Sequence, residues 1–144
     1  MSMELSKTGP ILAIFASSKG PGDAERLSLM SQTGSYFAKR GAQILCLAEN
    51  GDLPIPLITA ARAAGGAVQI VADTTIVLPP ALAGVSMEVL EDQAARFARV
   101  SELAAGLVAL PGSLASATEM FGVWSAGKTA GRARPVIMLN RHKA

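Results

Sequence analysis

Two stretches of the sequence combine small residues with groups able to hold an anion. Ser17-Ser18-Lys19-Gly20-Pro21-Gly22 follows the apolar run Ile11–Ala16. Pro111-Gly112-Ser113-Leu114-Ala115-Ser116-Ala117-Thr118-Glu119 follows the run Leu107–Leu110. Each separates a segment that reads as a strand from one that reads as a helix. Such a loop points backbone N–H groups at one spot, and the helix dipole favours negative charge there. Phosphate is the anion such a turn accepts, and the hydroxyls of Ser113 and Ser116 add hydrogen bonds. The same residues also suit a tight strand-to-helix turn that binds nothing. Glu119 falls in the first turns of its helix, where a carboxylate complements the dipole by about 0.3–1 kcal/mol. Arg96 and Arg99 are spaced to share a helix face, and Arg99 and Glu102 are spaced as a solvated pair.

Other chemistries lose their support at the level of residue counts. The only cysteine, Cys46, excludes an intrachain disulfide and reads as a small apolar residue at a strand end. The only histidine, His142, lies near the C-terminus, so a Cys/His zinc site lacks ligands and a histidine-dependent triad is a poor fit. No metal and no resident cofactor are expected. G-x-G-x-x-G is missing, which removes the main support for a dinucleotide reading. Asp73, after an apolar run, has the chemistry to hold a ribose hydroxyl or to cap a loop.

The elements that must position these residues follow from composition. The 144 residues suit one domain, 50% apolar and 17% charged, which is not the composition of a disordered chain. A net charge of +2 and 4% aromatic residues argue against a nucleic-acid partner, which needs a basic face or a stacking platform. No apolar run approaches the roughly 18 residues of a membrane span. Ile11–Ala16 is too short for a signal-peptide core and Glu4 precedes it, so it reads as a buried strand. The expectation is a soluble, cytoplasmic protein with no membrane partner.

Residues 1–9 read as a loose arm. Asp23 caps a helix running to about Arg40, and Gly41 stops it. Gln43–Leu47 reads as a strand, residues 48–56 as a loop, Leu57–Ala64 as a short helix and Val68–Val71 as a third strand. Thr75–Leu78 is a candidate strand, ended by Pro79-Pro80. Ala94–Ala105 and Ala117–Ala126 read as helices, Leu107–Leu110 and Pro135–Leu139 as strands. Continuous apolar strands alternating with helices predict an α/β fold, a doubly wound parallel sheet covered on both faces, with a ligand at the C-terminal strand ends.

The stretch from Leu107 to Ser125, with Arg134-Pro-Val-Ile-Met-Leu-Asn140, resembles the Lonely Guy (LOG) family, also called "lysine decarboxylase-like". The likeness extends to Ser17-Ser18, to Phe37-Ala-Lys-Arg-Gly41 and to Ala63-Ala-Gly-Gly66. It implies a Rossmann-like fold, a single domain over residues 1–144, and a homodimer. Related branches include molybdenum-cofactor carrier proteins. In the family motif P-G-G-x-G-T-x-x-E, this chain has Pro111, Gly112 and Glu119, but Ser113, Ala115 and Ser116 replace the second Gly, third Gly and Thr. The Arg of M-H-E-R-K falls on Arg96, among different neighbours. The glycine triplet of G-G-G-x-x-G-x-M, expected at 47–54, is replaced by Leu47-Ala48-Glu49, with Asp52 and Pro54 following.

The resemblance implies hydrolysis of nucleoside 5′-monophosphates to free base and ribose 5-phosphate, with Glu119 and Arg96 catalytic. Glu119 would stabilise positive charge on the ribose or orient water. Gly112, Ser113, Ala115, Ser116, Ser17, Ser18 and Arg99 would hold the phosphate or nucleotide. Glu49 or Asp52 beside a phosphate would repel it, by about 4 kcal/mol for a unit pair at about 4 Å and a dielectric near 20. That is half of a micromolar affinity of about 8 kcal/mol. The lost glycines therefore favour a second reading, a non-catalytic carrier or sensor of a nucleotide or cofactor. Either way the expected partner is a small nucleotide or phosphorylated ligand.

Overall fold

The computed structural model describes residues 9–17, 24–111 and 114–138. The chain runs β1 (Ile11–Phe15), α1 (Ala24–Lys39), β2 (Gln43–Ala48), α2 (Ile55–Ala63), β3 (Val68–Ala72), β4 (Ser86–Val89), α3 (Gln93–Leu103), β5 (Gly106–Ala109), α4 (Leu114–Thr129) and β6 (Val136–Met138). The strands form one parallel sheet in the order β4-β3-β2-β1-β5-β6. This is the expected α/β, Rossmann-like arrangement. The order reverses beside β1, because β2 to β4 extend to one side and β5 and β6 to the other. A crevice opens at the C-terminal ends of the strands at such a reversal.

Side-chain alternation along the strands splits the core in two. Ile14, Ile44, Cys46 and Ile70 pack with Met30 of α1 and with Leu57, Ile58 and Ala61 of α2. Ala13, Phe15, Leu45, Leu47 and Val71 face the other way, onto Val100 of α3 and Met120 and Val123 of α4. Fully burying a Leu, Ile or Val is worth about 1.5–3 kcal/mol. These runs therefore fix the register and the face to which each strand end points. The α1–α2 contact is close because Gly34 lies there. A Cβ at that position would meet the Leu57 carbonyl oxygen at 2.4 Å.

One expected strand is corrected. Thr75–Leu78 is irregular backbone, and the fourth strand is Ser86–Val89. The Asp73 carboxylate accepts hydrogen bonds from the Thr75 N–H and hydroxyl and turns the chain out of the sheet. Pro79-Pro80 then leads into a short 3-10 turn, Pro80–Leu82. The true strand is a half-exposed edge, so it lacks the apolar run that marks the buried strands. Helix α4 begins earlier and ends later than the expected Ala117–Ala126. Helix α2 begins at Ile55, with Pro56 in its first turn where a missing N–H costs nothing. Residues 1–8 of the expected arm at 1–9, and the Asp23 cap, lie outside the described residues.

Candidate functional site

The C-terminal ends of β1, β2, β4 and β5, each followed in the chain by a helix, lie along one edge of the sheet. Strand β2 ends at Ala48, and the alternation that aims Leu45 and Leu47 at α3 and α4 also aims Glu49 at them. The chain then reverses tightly. Asn50 and Gly51 both take positive φ, 56° and 74°, and the Asp52 N–H donates to the Glu49 carbonyl at 3.0 Å. The turn is braced from β3. Asp73 accepts from the Asn50 N–H at 2.9 Å, and the Thr75 hydroxyl accepts from the Gly51 N–H at 2.8 Å. Burial pushes the Asp73 carboxyl up. The hydrogen bonds from Thr75 and Asn50, with the field of Arg96, outweigh it and hold the carboxyl below its ordinary value. Asp73 is thus a brace for the turn.

Arg96 comes from the first turn of α3, whose N-cap Asp92 accepts from the Ala95 N–H at 3.2 Å. Its Nε and Nη2 both donate to Glu49 Oε1, at 3.0 and 2.7 Å. Its Nη1 donates to the carbonyls of Leu90 and Glu91, each at 2.8 Å. The other Glu49 oxygen accepts from Gln93 Nε2 at 3.2 Å. The side chains of Arg96 and Glu49 are 6% and 2% exposed. A charged pair taken so far out of water persists only with this density of hydrogen bonds.

Glu119, from the second turn of α4, hydrogen-bonds Glu49 from the other side. Its carboxyl is pushed up to about 9, first by burial, then by the bond to Glu49 and the charges of Glu49 and Asp52, against a smaller pull from Arg96. Near neutral pH Glu119 therefore carries a proton. Asp52 closes the group by accepting a hydrogen bond from the Ser17 hydroxyl at the end of β1. Ser17 and Ser116 are buried here, whereas Ala115, Gln93, Asp52 and Glu119 retain exposed surface.

The structure thus brings together Ser17, Arg96 and Glu119 of the expected set, through Asp52 and Glu49, and buries Ser116 in the first turn of α4. It does not bring Arg99 to them. Arg99 faces outward from α3 and pairs with Glu88 at 3.0 Å and Glu102 at 2.9 Å. Ser18, Gly112, Ser113 and His142 lie outside the described residues. Two roles change. Arg96, which the family resemblance implies would hold the phosphate or ribose end or help the leaving base, has its charge met by Glu49. Glu119 was expected to act as an anion, but it is held neutral. The acids expected to repel a phosphate do something else first: Glu49 is the counter-ion of Arg96. Asn50-Gly51, a dipeptide that suits two successive positive φ values, was the available sign that Glu49 and Asp52 return side by side. Cys46 lies deep in β2, where burial pushes its thiol up to about 12. Among the described residues no group of three or more acidic, histidine or cysteine side chains is arranged to hold a metal ion. No described helix is long and apolar enough to cross a membrane.

No family model matches the chain, and no curated protein matches it by sequence. Solved structures do match. The structural-genomics target TM1055 superposes with a TM-score of 0.65 at 20% identity, over 90% of this chain and 72% of that one. The molybdenum cofactor carrier protein of Chlamydomonas reinhardtii gives 0.63 at 21% identity, over 90% and 76%. DNA processing protein A of Helicobacter pylori, described with a single-stranded DNA binding mode, gives 0.61 at 15% identity, over 98% and 70%. At these identities the likeness is one of fold: the chain is a Rossmann-like α/β protein built on the same frame as a molybdenum cofactor carrier.

Proposed function

We propose that the crevice at the C-terminal strand ends binds a small ligand of nucleotide type and does not hydrolyse it, so that the protein acts as a carrier or sensor. The observation that carries this reading is the state of Arg96. Cleavage of an N-glycosidic bond needs a cation free to hold the phosphate or ribose end, and an anion facing the positive charge that grows on the ribose. Here the cation is neutralised from inside by Glu49, and Glu119 is protonated. What remains exposed is suited to recognition. Asp52, Gln93 and Glu119 offer hydrogen bonds, and the N-terminus of α4, which carries Glu119, offers a helix dipole to a phosphate. The fold shared with a molybdenum cofactor carrier supports a carrying role.

Calorimetric titration with a panel of nucleoside 5′-monophosphates, including AMP and an N6-prenylated AMP, tests the reading. Saturable binding is expected, lost in Ala115→Trp, which fills the mouth of the crevice at the first turn of α4. Absence of binding across the panel, or binding indifferent to Ala115→Trp, would contradict it.

One observation favours a second reading. A carboxylic acid kept neutral beside a carboxylate is the arrangement of a general acid. In that reading Glu119 donates its proton to a nitrogen of the departing base, the N-glycosidic bond breaks, and water adds to the ribose carbon. Release of free base by the wild type and none by Glu119→Gln would decide for it.

A further inference from the structure

We infer that Glu49 determines specificity: it occupies Arg96 from inside the protein and closes the arginine to anions from solution, so the part of a ligand meeting this end of the crevice is uncharged and donates hydrogen bonds. The inference rests on the reading that the crevice binds a ligand. Arg96 offers five N–H donors, and four are committed, two to Glu49 and two to the Leu90 and Glu91 carbonyls. The shared Glu49 Oε1 stands where one oxygen of a bound phosphate or carboxylate would stand on the same fork. An external anion would have to displace a carboxylate that is tethered, buried and held at its other oxygen by Gln93. Its effective concentration is far above that of any solute.

The rim tells the same story. Asp52 stands beside the pair as an acceptor, and a second anion placed there would meet its charge as well as that of Glu49. Groups that fit are amino-substituted heterocycle edges and sugar hydroxyls, which donate hydrogen bonds to carboxylates and amide oxygens. A ligand of this class carries its phosphate, if it has one, at the turn preceding α4 and keeps its other end uncharged.

The test is an NMR titration with inorganic phosphate at constant ionic strength, following the Arg96 Nε–H. In the wild type this resonance is expected to stay unshifted. In Glu49→Gln it is expected to shift saturably, with apparent phosphate affinity at least about tenfold tighter than any seen in the wild type. In Glu49→Gln/Arg96→Gln, which lacks the reporter, phosphate affinity measured by calorimetry should fall back to the wild-type level. Should Glu49→Gln fail to fold, Glu49→Asp withdraws the carboxylate while keeping its charge, and a smaller gain is expected. A saturable shift of the wild-type Arg96 Nε–H overturns the proposal, as does an unshifted resonance in a folded Glu49 variant. The outcome is separable from that of the nucleotide panel. A phosphate gain in Glu49→Gln without nucleotide binding by the wild type keeps Glu49 as the lock on Arg96 and removes only the ligand.

Discussion

Oε1 of Glu49 lies 2.7 Å from Nη2 of Arg96, joining the end of β2 to the first turn of α3. The two residues come from connections that a ligand would otherwise bridge. Their union turns a cation that resembles a catalytic residue into a fixed part of the frame. Glu49 also adds to the burial that keeps a proton on Glu119.

Breaking this pair on one side leaves a buried charge without its partner. Glu49→Gln or Arg96→Met alone is expected to lower the unfolding free energy by about 3–5 kcal/mol. The double variant should lose much less than the sum of the two. Urea denaturation of all four proteins measures the coupling, and additive losses would mean that the ion pair does not bind the two segments together.

Glu119 makes stability depend on pH. In the unfolded chain its carboxyl loses the proton near the ordinary value of 4.5, whereas in the fold it keeps it to about 9. Between those limits the folded state binds the extra proton, so each rise in pH favours unfolding, by at most about 1.4 kcal/mol per unit. Wild-type stability is therefore expected to fall from about pH 5 to about pH 9 through this group. Glu119→Gln keeps a neutral group at every pH and should flatten that slope. Parallel slopes for the two proteins would remove Glu119 as its source.

The turn that returns Asp52 to Glu49 requires Gly51 at φ 74°. Gly51→Ala is expected to cost about 1–2 kcal/mol, the cost of a left-handed residue with a Cβ. Asn50→Gly should change stability little. Thermal unfolding of the two variants compares them, and an equal effect at both positions would show that the turn relaxes.

Cys46 is fully buried in β2 with its thiol pushed up to about 12. It is expected to be inert to a disulfide-exchange reagent in the native protein and to react at once in denaturant. Fast native labelling would show that β2 opens readily.

Much of the frame was legible because buried parallel strands are short apolar runs closed by glycine or proline. Ile11–Phe15, Gln43–Ala48, Val68–Ala72 and Gly106–Ala109 all carry that signature. Ser86–Val89 does not, since an edge strand exposes half its side chains. Arg96 and Glu119 were visible as candidates through their place in motifs, and the structure brings both to Glu49. Their charge states were not visible. Glu49 is 47 residues from Arg96 in sequence, and only the sheet order brings the end of β2 under α3. The proton on Glu119 depends in turn on Glu49. Asp52 and Glu49 read as obstacles to a phosphate because a sequence shows charges without their partners.

The central claim is that the crevice holds a nucleotide-type ligand without cleaving it. The most direct measurement incubates purified protein with nucleoside 5′-monophosphates under conditions of demonstrated binding and follows free base and ribose 5-phosphate by chromatography, with Glu119→Gln as control. The account predicts that the ligand is recovered intact from both proteins. Release of base by the wild type and not by Glu119→Gln would contradict it and make the chain a hydrolase that uses Glu119 as its acid.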